Sequence, residues 1–106
     1  MQLVSRSERN FQPFDGAPGM EVCVLSEHGD GGMSLFVKLQ PGAKVPRHSH
    51  LGREESLIVQ GKVDVGGRVA IVGDYVNMQM GEEHEVRAEE ETIFFVVVNK
   101  GYTVLG

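Results

Sequence analysis

The stretch PGAKVPRHSHLGREESLIVQG, Pro41 to Gly61, places two histidines one residue apart, then two glutamates and an alternating apolar run. In a strand, residues i and i+2 point to the same face about 6.6–6.8 Å apart. His48 and His50 therefore project side by side, and two imidazoles can converge on one point between them. Leu51 to Arg53 make a tight corner. Beyond it Glu54, Ser56 and Ile58 share one face of the next strand, and Glu55, Leu57 and Val59 share the other. One glutamate of the pair faces the histidines while its neighbour faces away.

Outward from this stretch the pattern stays β. Short runs rich in β-branched and aromatic residues (MEVCVL, MSLFVKL, SLIVQ, KVDV, RVAIV, DYVNM, HEVRA and TIFFVVV) are separated by glycines, of which the chain has 14. Regular short strands with glycine at the joints predict an all-β sandwich or barrel. In KVDVGGRVAIV, Gly66 and Gly67 can supply the positive φ of a two-residue hairpin turn between antiparallel strands. Further turns are expected at His28 to Gly32, Gln40 to Gly42, Gly73-Asp74 and Met80 to Glu83.

The 106 residues make one domain, 1–106, with a single modest core. Lys and Arg number 10 against 15 Asp and Glu, a net charge of -5. That balance argues against nucleic acid and anionic membrane surfaces as main partners. The longest apolar run, Ile93 to Val98, falls far short of the roughly 20 residues that span a bilayer, and the first ten residues lack the apolar segment of a signal peptide. A soluble, cytoplasmic protein is expected. Cys23 is the one cysteine, so no internal disulfide or cysteine-rich zinc knuckle can form, and a metal site has to use histidine and carboxylate. His84, after the turn MGEE, opens a later strand and offers a third imidazole. Three imidazoles and a carboxylate suit zinc, iron, manganese, nickel or copper and leave a coordination position open.

At this point the residues resemble a known family. Gly42, His48, His50, Glu54 and Gly61 fit the first motif of the cupin superfamily, Gly-x5-His-x-His-x3-Glu-x6-Gly, and that spacing selects Glu54 over Glu55. GDYVNMQMGEEHEVRA is similar to the second cupin motif, with Gly73, Gly81 and His84 in place; Gln79 stands where proline is usual and Ala88 where asparagine is. PRHSHLGREE, with GDYV at Gly73 to Val76, resembles the ChrR-type cupin domain of zinc-dependent anti-sigma factors. The resemblance implies a double-stranded β-helix, a jelly-roll-like antiparallel barrel. It also implies one divalent transition metal (zinc, iron, manganese or nickel) bound in the lumen by His48, His50, Glu54 and His84.

Phe36, Ile58, Val86 and either Phe94 or Phe95 are expected to wall that lumen, with Ser56 and Tyr75 as candidate polar groups near the metal. Arg53 is expected to face water or a substrate carboxylate, His28 to sit exposed at a hairpin tip, and Cys23 and the methionines to fill core or rim. The resemblance implies a small-molecule metalloenzyme, such as a dioxygenase acting on a dicarbonyl-type substrate, with no catalytic side chain assigned. A ChrR-like metal-dependent sensor and a non-catalytic metal-binding barrel are the alternatives. An anti-sigma factor also needs a helical zinc-binding segment, and only MQLVSRSERNFQPF precedes the barrel here, so gripping a sigma factor is not expected of this chain alone. Cupins commonly dimerise, and QLVSR and YTVLG are expected to pair with a partner's sheet edge in a homodimer.

Overall fold

The structure is a computed structural model. It describes residues 1–46, 48–50, 52–100 and 102–104, with side chains for 1–46 and 52–100. After a 3-10 turn at Arg6–Glu8, the strands run β1 (Gln12–Pro13), β2 (Met20–Glu27), β3 (Gly31–Leu39), β4 (Lys44–Val45), β5 (His48–His50) and β6 (Glu54–Gln60). They continue as β7 (Lys62–Val65), β8 (Arg68–Ile71), β9 (Tyr75–Met78), β10 (Val86–Ala88), β11 (Thr92–Lys100) and β12 (Tyr102–Val104). One sheet has the order β1-β2-β3-β11-β6-β9, the other β4-β10-β7-β8, and β12 pairs with β5. Neighbours are antiparallel throughout. This is the all-β architecture expected from the turn and strand pattern, and the double-stranded β-helix that the family resemblance implies. No helix among the described residues is long and apolar enough to cross a membrane.

The core lies between the two sheets and follows strand parity. Leu35, Val37 and Leu39 of β3 and Phe94, Val96 and Val98 of β11 point inward and are buried. The run IFFVVV, Ile93 to Val98, is apolar at every position because β11 is the fourth strand of six and is covered on both faces. On its outer face Phe95 meets Phe36 at 5.7 Å between ring centroids, and the Arg9 guanidinium lies 4.0 Å from the Phe36 centroid. The N-terminal segment thus lies over the outside of the sheet, where Cys23 is also buried.

Two joints fix the register. Gly66 and Gly67 have φ of 58° and 91°, and Val65 pairs with Arg68, so the GG hairpin is a two-residue turn whose positive φ values glycine adopts without a steric penalty. Gly61 has φ 90° and lies against the backbone of Glu91 and Thr92, where a Cβ would come within 2.1 Å of the Glu91 carbonyl oxygen.

Three expectations are corrected. Residues 2–6 do not form a strand; the Gln2 side chain donates to the Leu25 carbonyl instead. Tyr102–Val104 pairs with His50, Ser49 and His48 of the same chain, so one edge of that strand is taken within the chain; residues 105 and 106 lie outside the described residues. HEVRA becomes a strand only from Val86, because the Glu85 carbonyl accepts from Gly66 N–H at 2.8 Å at the hairpin tip before the β10–β7 ladder begins.

Candidate functional site

A cavity of about 80 Å³ occupies the space between the sheets. Its polarity follows from the register. At one end Glu54 on β6 lies between Val98 of β11 and Met78 of β9. One step deeper, Ser56 lies between Val96 and Val76. Deeper again Ile58 pairs with Phe94, Phe94 with Val37, and Val37 with Val22. Val45, Val86 and Val65 face this wall from the second sheet, where they pair in a row. Among the described residues, Glu54 and Ser56 are the lining side chains that carry oxygen or nitrogen.

Parity separates the two glutamates. Glu54 is half-buried and lines the cavity. Glu55 points outside, where its Oε1 accepts from the Tyr75 hydroxyl at 2.6 Å and from Arg53 Nη2 at 2.9 Å. The Tyr75 hydrogen bond, and then the Arg53 guanidinium, hold the Glu55 carboxyl below the usual carboxylate range. Tyr75 is therefore an exposed outer residue, 55% accessible, rather than one lining the cavity. Arg53 is tied to the same outer network, on the water-facing side of its expectation.

The aromatic choice is settled by pairing. Phe94 lines the cavity with Ile58 and Val86, whereas Phe95 and Phe36 stack outside. Phe36 is thus no lumen wall. Ser56, buried and lining the cavity, is placed as expected. His28 is exposed at its hairpin, within 2.9 Å of the Ser34 hydroxyl. Phe14, in the loop after β1, and Met20, the first residue of β2, also line the cavity; no periodicity in the sequence marks Phe14.

His84 lies in the turn before β10. Its side chain is 40% exposed, and its Nε2 lies 3.0 Å from Glu82 Oε2. Gly66 makes room for it: a Cβ there would come within 3.0 Å of His84 Nδ1. The side chains of 48–50 lie outside the described residues, and among the described residues no three His, Cys, Asp or Glu side chains gather. The chain path still bears on the donor set. Pro46 and Glu54 both line the cavity, and β5 lies between them in the chain. An oxygen donor inside the cavity and two histidines in the segment leading to it are residue types suited to a divalent transition metal.

The comparisons with known proteins agree with this architecture. Over 94 residues the chain is 30% identical to the DNA damage-repair/toleration protein DRT102 of Arabidopsis thaliana, covering 83% of this chain and 29% of that protein. The chain thus spans less than a third of the curated relative it matches. An acetylacetone dioxygenase from Acinetobacter johnsonii superimposes with a TM-score of 0.80 at 19% identity, over 92% of this chain and 72% of that one. The complex of Rhodobacter sphaeroides SigE with the anti-sigma ChrR superimposes with a TM-score of 0.77 at 22% identity, over 90% of this chain and 51% of the matched one. At such identities the two structures bear on the fold. The ChrR Cupin-like domain family matches residues 1–103, and with nearly the whole chain inside that match, and the barrel and its interior carboxylate where the motif requires them, the protein belongs to the family of ChrR cupin-like domains.

Proposed function

We propose that this domain is a mononuclear metal-binding cupin acting in the cytoplasm as a small-molecule metalloenzyme, with dioxygenase-like chemistry on a dicarbonyl-type or similarly small substrate. The carrying observation is Glu54, the charged side chain among the described residues that line an otherwise apolar cavity. In this reading His48, His50, Glu54 and His84 hold one divalent zinc, iron, manganese or nickel ion. The chemistry such an ion supplies is Lewis-acid polarisation of a bound carbonyl or enolate oxygen. The chain's own part is to orient the substrate beneath Glu54 and to exclude water with the valines of both sheets. The structural likeness to an acetylacetone dioxygenase supports this reading.

A second reading is favoured by the family match and by the likeness to the SigE–ChrR complex: a ChrR-like sensor whose metal is structural and whose output is a protein contact. Elemental analysis of the untagged protein, purified without added metal, separates the two. Iron, manganese or nickel near one per chain is the expected result; zinc near one per chain moves the weight to the sensor, and metal-free protein that takes up none on dialysis rules out both.

A homodimer belongs to the same proposal. Among the strands that end their sheets, β8 and β9 expose Val69, Ile71 and Tyr75, and these edges are where a second copy is placed. Sedimentation at micromolar concentration is expected to show a dimer, and a monomer at every concentration up to that range would remove this part.

A further inference from the structure

The cavity has a polar end and an apolar end. Glu54 and Ser56 occupy consecutive inward positions of β6, and the next inward position is Ile58, which pairs with Phe94 in a row that continues through Val37 to Val22. Each inward step along a strand is about 6.6–6.8 Å, so oxygen donors give way to hydrocarbon within one step. Among the described lining residues no side chain carries positive charge, so a ligand's second anionic group would have no counter-charge from them. A hydroxyl carried past Ser56 would surrender its hydrogen bonds to water and meet only hydrocarbon.

Size sharpens the selection. By the measure in which an apolar cavity of about 150 Å³ admits a benzene ring, the roughly 80 Å³ here takes only a few non-hydrogen atoms. Six-membered rings, whether sugars or aromatics, do not fit the cavity in this form.

We infer that the site takes a short, unbranched aliphatic ligand with its oxygen-bearing head beside Glu54 and Ser56 and an uncharged alkyl tail of about three carbons against Ile58, Phe94 and Val37. The described lining offers polyol, uronate and aryl tails no partner. This inference rests on the metal-binding reading for the head and on the described side chains alone for the tail.

The test uses hydroxamates, which present one constant metal-chelating head on different tails. Acetohydroxamate, butanohydroxamate, octanohydroxamate, benzohydroxamate and gluconohydroxamate are titrated into the full chain loaded with zinc, by calorimetry and by methyl NMR of isoleucine and valine. Butanohydroxamate is expected to bind about tenfold tighter than acetohydroxamate, following the roughly 0.8 kcal/mol gained per buried methylene, and to shift the Ile58 and Val37 methyls. The octano, benzo and glucono compounds are expected to bind no better than acetohydroxamate. Ile58→Val, a small truncation that cores tolerate, is expected to move the preferred tail about one carbon longer. Equal affinity across tail lengths, or gluconohydroxamate binding as tightly as the butano compound, overturns the inference while leaving the metal reading intact. If no hydroxamate binds the zinc-loaded protein, the metal reading fails and the inference falls with it.

Discussion

Gly61→Ala is expected to cost on the order of 3 kcal/mol of folding stability or more, the sum of two penalties at one atom. The first is conformational. Gly61 has φ 90°, a region that L side chains rarely adopt. The second is steric: a Cβ would meet the Glu91 carbonyl oxygen at 2.1 Å and the Thr92 Cα and Oγ1 at 2.7 Å each. None of these can swing aside. Thr92 is fully buried, and its hydroxyl accepts from Lys62 N–H at 3.1 Å while facing the Lys62 and Glu90 carbonyls at 3.0 and 2.9 Å. Pushing β11 away from the β6–β7 corner would break that junction between the sheets. Gly42→Ala is the control, since it has a similar φ of 82° but open space around the added carbon, and it should lose only about 1 kcal/mol. Urea denaturation of the two variants measures the difference. Equal losses would show that backbone strain, and not the approach of β11, is what requires glycine at 61.

That contrast bears on what could be read before the fold was known. The spacing of Gly61 from the histidines marked it as a motif position, but its reason is an approach between residues 30 apart in the chain, which no local pattern contains. Strand geometry did place Glu54, Ser56 and Ile58 on one face and Glu55 on the other, and the motif spacing chose the face that holds Glu54. The GG hairpin was legible because only one turn class joins two strands through two residues of positive φ. Where both faces of a strand are apolar, as in IFFVVV, parity tells alternating sets apart without saying which set is inside. Phe36 shares its face of β3 with Ser34 and Lys38, opposite Leu35, Val37 and Leu39, and its pairing with Phe95 places it under the N-terminal segment. Tyr75 failed for a related reason: its face is set by its partner Leu57, which points outward. YTVLG reads as a strand in need of a neighbour, and nothing within it says that the neighbour is β5 of its own chain.

Glu54→Ala is expected to lower affinity for divalent metal at least tenfold, and Glu55→Ala to leave it unchanged. The two carboxylates are adjacent in sequence and alike in charge, so any effect of net charge is the same for both. Their surroundings differ. Glu54 lines the cavity, whereas Glu55 spends its carboxylate on Tyr75 and Arg53 outside the barrel. Removing Glu54 would take away a direct ligand; removing Glu55 would loosen an outer network that does not face the cavity. His84→Ala is expected to match Glu54→Ala, since its ring is held at the GG hairpin tip, where Gly66 leaves it room and the backbone of Glu85 is tied down. Competition against a chromophoric chelator reads the affinities, with circular dichroism confirming that each variant is folded. Glu54→Gln is the decisive companion: it keeps the volume and one oxygen but not the charge, and it should lose affinity nearly as far as alanine does if charge donation holds the metal. A damaging Glu55→Ala beside a harmless Glu54→Ala would mean that the ligand set lies on the outer face of β6, and the cavity would then have to be read as core alone.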